Sequence, residues 1–439
     1  METNRELAFY GDDFTGSTDV LESLSLCGKK AVLWMRIPTE DELKRFSDYD
    51  CIGLAGISRS KDPQWMSENL PRIYQFLKSV NGKYIHYKVC STFDSGLHKG
   101  NIAKATQIGI AELSPSWTSI VVGSPKIKRY VCFSELFADF EGSTYRIDRH
   151  PVMGNHPATP MHEANLLKHM QQLGGVECAS VDLPMYSNGR ASSQLESFIA
   201  DKKVVVFDSY DEATHSAAGK LIRDFSQKGV HFSVSSSGFE DALYSDTKIT
   251  NTTKIQATDK LLALSGSCSP TTSNQIQFAV DRGFVPFLLD LEKVCDSTLR
   301  PSYLKEVVDF CLALLAKNRS PLVYSSLGSP KEDQALLPSQ CVNFDRVLGQ
   351  FLGQVALQVV QEKAINRLAV AGGDTSGYCI QTLGLDAMTF IAPLYPGVPL
   401  CRAHSNDVSV DGLEIALKGG QMGATDFFVR LLTGVNNHG

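Results

Sequence analysis

Several signatures that would settle a function at once are missing from this chain. Its eleven cysteines contain no C-x-x-C pair, which removes the zinc ribbon and the thioredoxin-like redox site. There is no G-x-x-x-x-G-K-[ST] and no G-x-G-x-x-G, so neither a P-loop nor a dinucleotide-binding Rossmann turn is indicated. A basic excess is lacking as well: the net charge of -6 argues against a general nucleic-acid binder. No apolar run approaches the length that spans a bilayer, and the opening METNRELAFYGDDFTG lacks the basic-then-apolar order of a signal peptide. Internal repeats and low-complexity tracts are also absent. Together these absences predict a cytoplasmic protein with neither a membrane nor a nucleic acid as partner.

What is present belongs to an ordinary globular protein, 43% hydrophobic and 21% charged. At roughly 100–200 residues per domain, 439 residues predict two domains. Cysteines such as Cys51 in DCIGLAG and Cys379 in GYCIQTLG sit in apolar runs and read as buried free thiols of a reducing compartment.

The front half alternates short strands with helices. Leu7–Tyr10, Ala31–Met35, Cys51–Ile57, Tyr84–Val89 and Ser119–Val122 read as strands, with helices over Ser17–Cys27 and Pro63–Val80 between them. Glu141–Pro160 is rich in Pro, Gly, His and Arg and reads as a long loop. Strands resume at Val204–Phe207 and Phe232–Val234. The Thr-rich stretch Asp246–Lys260 marks a boundary, which gives domains 1–250 and 251–439. Strands at Leu261–Leu264, Val285–Leu289, Leu322–Ser325 and Leu368–Ala371, with a helix over Phe351–Ala364, form a second series. The expected fold class is α/β: two domains, each with a largely parallel sheet flanked by helices.

Three glycine turns follow apolar strands in the second half: ALSGSCSPTTSNQI, AVAGGDTSGYCIQTLG and ALKGGQMGATDFFVRLL. Glycine lets a backbone approach phosphate oxygens, and a following helix offers free N–H groups and a positive dipole end. One such turn is common for structural reasons, whereas three in one domain favour phosphate binding. In the front half, Asp12 and Asp13 follow a strand, where open α/β sheets bind ligands. Either could take a hydroxyl proton, or hold Mg²⁺ or a sugar hydroxyl, and one of them could equally cap the next helix. Lys88, with Ser91, Thr92 and Asp94 after it, supplies a cation and hydroxyls for an acid group, and Arg59 is a further carboxylate grip. Arg149, His150, His156 and His162, in the stretch Arg146–His162, fit no standard zinc spacing and read as histidines of a substrate-covering loop or plain loop histidines.

These residues resemble the four-carbon acid sugar kinases, a family first catalogued as a domain of unknown function. YGDDFTGSTD resembles its N-terminal Asp-Asp-x-Thr-Gly signature, and KVCSTFDSG its Lys-x-x-Ser-Thr segment. SGSCSPTTSNQI, GGDTSG and LKGGQMG resemble its ATP-contacting segments, in order, so the likeness spans nearly the whole chain. The resemblance implies an N-terminal domain that binds the acid sugar and a C-terminal domain that binds ATP with Mg²⁺. It implies transfer to the terminal hydroxyl of acids such as threonate, erythronate or 3-oxo-tetronate. Asp12, Asp13, Arg59, Lys88 and Ser91 would then bind substrate or assist transfer. Ser265, Ser267, Gly372, Gly373, Asp374, Thr375, Gly377 and Gly420 would line the nucleotide site.

Many members carry Asp-Ser-Thr-x-Arg-Gly after the Lys, whereas this chain reads Cys90-Ser91-Thr92-Phe93-Asp94-Ser95, so a contact made by that Arg falls to Arg149 or Lys126. YRIDRHPVMGNHPATPM is similar to one branch, kinases encoded beside RuBisCO-like proteins, some of which act on 3-oxo-isoapionate. Two rivals remain at this stage. One is a nucleotide-independent acid-sugar isomerase or lyase; the other is a non-catalytic metabolite sensor. Apolar helices in both halves could support a homodimer.

Overall fold

The computed structural model describes residues 5–156, 159–247, 253–327, 341 and 343–434, apart from the side chain of Asp374. The chain divides into two compact units. One comprises Met1–Ala31 and Ile37–Thr250, the other Val32–Arg36 and Asn251–Gly439.

The first unit is built on seven parallel strands. In chain order they are β1 (Arg5–Gly11), β3 (Cys51–Ala55), β4 (Gly82–Lys88), β5 (Trp117–Ile120), β9 (Cys178–Val181), β10 (Val204–Phe207) and β11 (His231–Ser235), with β2 (Ala31–Trp34) set aside for the second unit. Their order across the sheet is β3, β1, β4, β11, β5, β10, β9. Runs such as Leu7, Ala8 and Phe9 are wholly buried, because a parallel sheet is covered on both faces. The helices begin where polar side chains accept their free N–H groups. Asp13 caps Phe14–Leu26, Asp62 caps Pro63–Ser79, Asn101 caps Ile102–Leu113 and Asp211 caps Glu212–Phe225. Asn81 (φ 56) closes Pro63–Ser79, and Gly82 opens β4 instead of ending the helix.

Two expectations need correction. By its place in the sequence the strand at Ala31–Met35 belongs to the front series, yet Val32–Trp34 pairs antiparallel with β16 (Ala387–Tyr395) of the second unit. All four residues of β2 are buried, so its apolar run fits any covered sheet and does not reveal which. The stretch Glu141–Pro160 is not wholly loop. β6 (Arg129–Cys132), β7 (Glu135–Phe140) and β8 (Ser143–Arg146) form a small antiparallel sheet, and Ile147 and Met153 beyond it are buried.

In the second unit β12 (Leu261–Ser265), β13 (Val285–Leu288), β14 (Pro321–Tyr324), β15 (Arg367–Ala371) and β18 (Glu414–Lys418) run parallel, in the order β13, β14, β12, β15, β18. β17 (Val398–His404), β16 and β2 continue the sheet antiparallel. Helices Phe344–Gln361 and Gly373–Leu383 pack closely: a Cβ on Gly349 or Gly353 would fall 2.6 Å from Tyr378 Cβ or 2.5 Å from Thr382 Cβ.

Candidate active site

At the carboxyl edge of the first sheet, β1 ends at Gly11 and runs into Asp12-Asp13 beside Lys88, the last residue of β4. The backbone fixes Asp12 from two sides. Its N–H donates to the Lys88 carbonyl (2.9 Å), and its carbonyl accepts from the Arg59 N–H (3.0 Å). Arg59 lies in the turn Ser58–Ser60 just after β3. Its guanidinium grips Asp12 through Nε to Oδ2 (3.1 Å) and Nη2 to Oδ1 (2.6 Å), and reaches Asp13 Oδ2 from Nη1 (2.9 Å). Lys88 is buried and its Nζ lies 3.3 Å from Asp19 Oδ2. Gly16 leaves room for this arrangement: a Cβ would fall 2.5 Å from Asp13 Oδ1 and 3.1 Å from Lys88 Nζ, so both side chains would have to shift.

The two carboxylates are not equivalent. Asp13 spends Oδ1 on the Gly16 N–H (2.8 Å) and Oδ2 on the Thr15 hydroxyl (3.0 Å), as the helix cap. Asp13→Ala should therefore cost the fold about 1 kcal/mol, read as a lower denaturant midpoint at unchanged slope. Asp12 is 3% exposed, and burial is the main force pushing its carboxyl up to about 6. Arg59 pulls it down and Asp13 pushes it further up. Burial works against the Lys88 ammonium, but Asp19 and Asp13 outweigh it and hold the group above the usual lysine range.

Beyond Lys88, Thr92 Oγ1 donates to Asp94 Oδ1 (2.5 Å), and Thr159 Oγ1 donates to Asp94 Oδ2 (2.7 Å). His156 Nδ1 lies 3.0 Å from the Thr159 hydroxyl. Burial pushes Asp94 up, yet Arg59 and the two threonine hydroxyls prevail and keep it below the usual carboxylate range. The His- and Arg-rich stretch thus reaches this loop through Thr159 and His156. Arg149 is exposed beside Asp148, Lys126 pairs with Asp241, and Ser91 is half-buried.

In the second unit the three glycine turns meet. The ends of β12, β15 and β18 are stitched by Gly266 N–H to the Ala371 carbonyl (3.0 Å) and Gly372 N–H to the Lys418 carbonyl (2.9 Å). Gly372 takes φ 126, a backbone state that side chains other than hydrogen resist. A Cβ on Gly266 would fall 2.3 Å from Thr375 Oγ1, and one on Gly420 would fall 2.9 Å from Ser267 Oγ. Ser269 N–H donates to Ser267 Oγ (3.2 Å), while the buried Ser269 Oγ has no hydrogen-bond partner among the described residues. Ser269 occupies the cap position of Pro270–Val280 without making the cap bond. Its hydroxyl and the first-turn N–H groups are therefore available to an anion.

Ser265, Ser267, Gly372, Gly373, Thr375 and Gly420 accordingly share one edge of the sheet. Gly377 is buried a turn into Gly373–Leu383, and the Asp374 side chain lies outside the described residues. Sequence reasoning did not single out Asp19, Thr159, Thr272, Gln275 or Lys418. Thr272 Oγ1 donates to the Gly420 carbonyl (2.7 Å), and Gln275 Nε2 donates to the carbonyls of Met422, Gly423 and Ala424 (3.0, 3.1 and 3.0 Å). The one available signal was the motif itself, a lysine closing a strand directly before Gly419-Gly420.

Comparison with known proteins adds a second line. A family model described as a sugar-binding N-terminal domain matches residues 7–243, and one described as a nucleotide-binding C-terminal domain matches residues 262–428. The chain is 37% identical to the 3-oxo-isoapionate kinase of Paraburkholderia graminis, over 96% of this chain and 93% of that one. It is 27% identical to a 3-oxo-tetronate kinase of Pectobacterium atrosepticum, over 97% and 98%. Among solved structures, a Haemophilus influenzae protein of the DUF1537 family superposes with a TM-score of 0.74 at 26% identity, covering 97% of this chain and 98% of that one.

Proposed function

The chain belongs to the four-carbon acid sugar kinase family, and on that premise we propose that it transfers the γ-phosphoryl group of ATP to the terminal hydroxyl of a small acid sugar, with 3-oxo-isoapionate as the first candidate. It is a phosphotransferase acting on a small acid sugar. The observation that carries the ATP half of the reading is the meeting of Ser267, Gly372 and Gly420 at one sheet edge. A nucleotide-independent isomerase or lyase would leave those turns unexplained.

Phosphoryl transfer asks mainly for positioning and charge neutralisation. In this reading the acid's carboxylate docks on Lys88 and Arg59, with the hydroxyls of Ser91 and Thr92 alongside. Engaging Arg59 draws it from Asp12, and the loss of a cation makes that carboxylate a stronger base. Asp12 then takes the proton of the attacking hydroxyl, while Asp13 stays committed to its helix. A Mg²⁺ ion accompanying ATP would be held mainly by the phosphate oxygens and water and would neutralise charge on the transferring group. Among the described residues no group of three His, Cys, Asp or Glu forms a resident site, and no helix is long and apolar enough to cross a membrane. A cytoplasmic setting, where ATP is abundant, fits the same reading.

An ADP-release assay with MgATP and a panel of acids tests it. The panel holds D- and L-threonate, D-erythronate, their 3-oxo forms and 3-oxo-isoapionate. Turnover with 3-oxo-isoapionate above all others is expected; preference for a four-carbon acid would overturn the substrate but keep the reaction. Gly266→Ala should weaken ATP binding about 10-fold in calorimetry, because its methyl would wedge Thr375 away from the turn.

A further inference from the structure

Lys418, the last residue of β18, has a fully buried side chain that the reading above leaves idle. Its Nζ donates to Thr272 Oγ1 (2.8 Å), the Gly419 carbonyl (3.0 Å) and the Gly420 carbonyl (3.3 Å). Thr272 spends its own proton on the Gly420 carbonyl, so toward Lys418 it can only accept. Three acceptors match the three protons of an ammonium; a neutral amine would leave one unmet. The ring of Phe427, 5.7 Å from Nζ, adds a favourable face for a cation. Burial pulls the group down to about 7.

The consequence lies in the backbone. In a trans peptide the carbonyl and the next N–H point to opposite sides. With the Gly419 and Gly420 carbonyls drawn in toward Nζ, the N–H groups of Gly420 and Gln421 are turned the other way. Neither donates a hydrogen bond among the described residues. Successive free N–H groups of this kind form an anion-binding concavity.

We propose that Lys418 is a positioning residue for phosphate: by holding the Gly419 and Gly420 carbonyls inward, it aims the Gly420 and Gln421 N–H groups at the nucleotide phosphates. The assignment rests on the reading of the second unit as the nucleotide site. It also explains Thr272, which holds the same carbonyl from the first turn of Pro270–Val280.

Calorimetry with ATP, and adenosine competition against a fluorescent ATP analogue, test this on the full chain. Lys418→Met keeps the volume and removes the donors. It should raise the ATP Kd about 10- to 100-fold and change adenosine affinity less than about twofold, because adenosine carries no phosphate. Thr272→Val, a milder change that spares the lysine, should weaken ATP about 3- to 10-fold with the same selectivity, and it decides the matter if Lys418→Met does not fold. ATP affinity held in the folded variants, or equal losses for ATP and adenosine, would overturn the proposal alone. A wild-type protein that does not bind ATP would overturn the nucleotide reading and the proposal with it.

Discussion

Asp12→Asn will lower kcat about 10²–10⁴-fold and erase the acidic limb of the pH profile. A carboxylate 3% exposed loses its hydration, and Arg59, through two hydrogen bonds, and the nearby Lys88 ammonium compensate only part of that loss. Its carboxyl is pushed up to about 6, close to neutral pH, where a general base is most effective. The base must be unprotonated, so kcat/KM should fall about tenfold per unit as pH drops below about 6. Arg59→Gln removes the cation that pulls Asp12 down, so the limb should move to higher pH. Asp13→Asn removes the charge that pushes Asp12 further up, so the limb should persist but move to lower pH. An Asp12→Asn enzyme that keeps the limb, or loses less than tenfold, would transfer the role to another group.

Lys88→Met should raise the Kd for the acid substrate about 30-fold to several thousand-fold and leave the ATP Kd within about twofold. Lys88 is buried, its ammonium is kept charged by Asp19 and Asp13, and it closes the strand beside the one that carries Asp12. A buried cation that meets a carboxylate in such a place contributes far more than an exposed one, because neither partner is shared with water. Calorimetry with the acid measures the effect directly. Unchanged acid affinity, or a matching loss of ATP affinity, would remove Lys88 from the substrate grip.

Much of this was legible in the chain because the signals are local. The strands of the parallel sheets are short apolar runs closed by glycine or polar residues, and the Asp-Asp pair after β1 announces both a ligand edge and a cap. That Asp13 is the cap depends on one hydrogen bond three residues away, which sequence alone leaves open between the two. Other features are set by distant partners. β2 is apolar on both faces, and its partner strand lies more than three hundred residues later. Thr159 meets Asp94 across 65 residues, and Lys418 meets Thr272 across 146. A lysine or threonine carries no local mark of such a contact.

Phosphorus NMR of the wild-type protein with MgATP and 3-oxo-isoapionate tests the central claim most directly. The account predicts a new phosphomonoester resonance that grows as the γ-phosphate signal of ATP declines, with ADP as co-product. Inorganic phosphate as the sole new species, or an ATP spectrum that does not change with any acid of the panel, would contradict it.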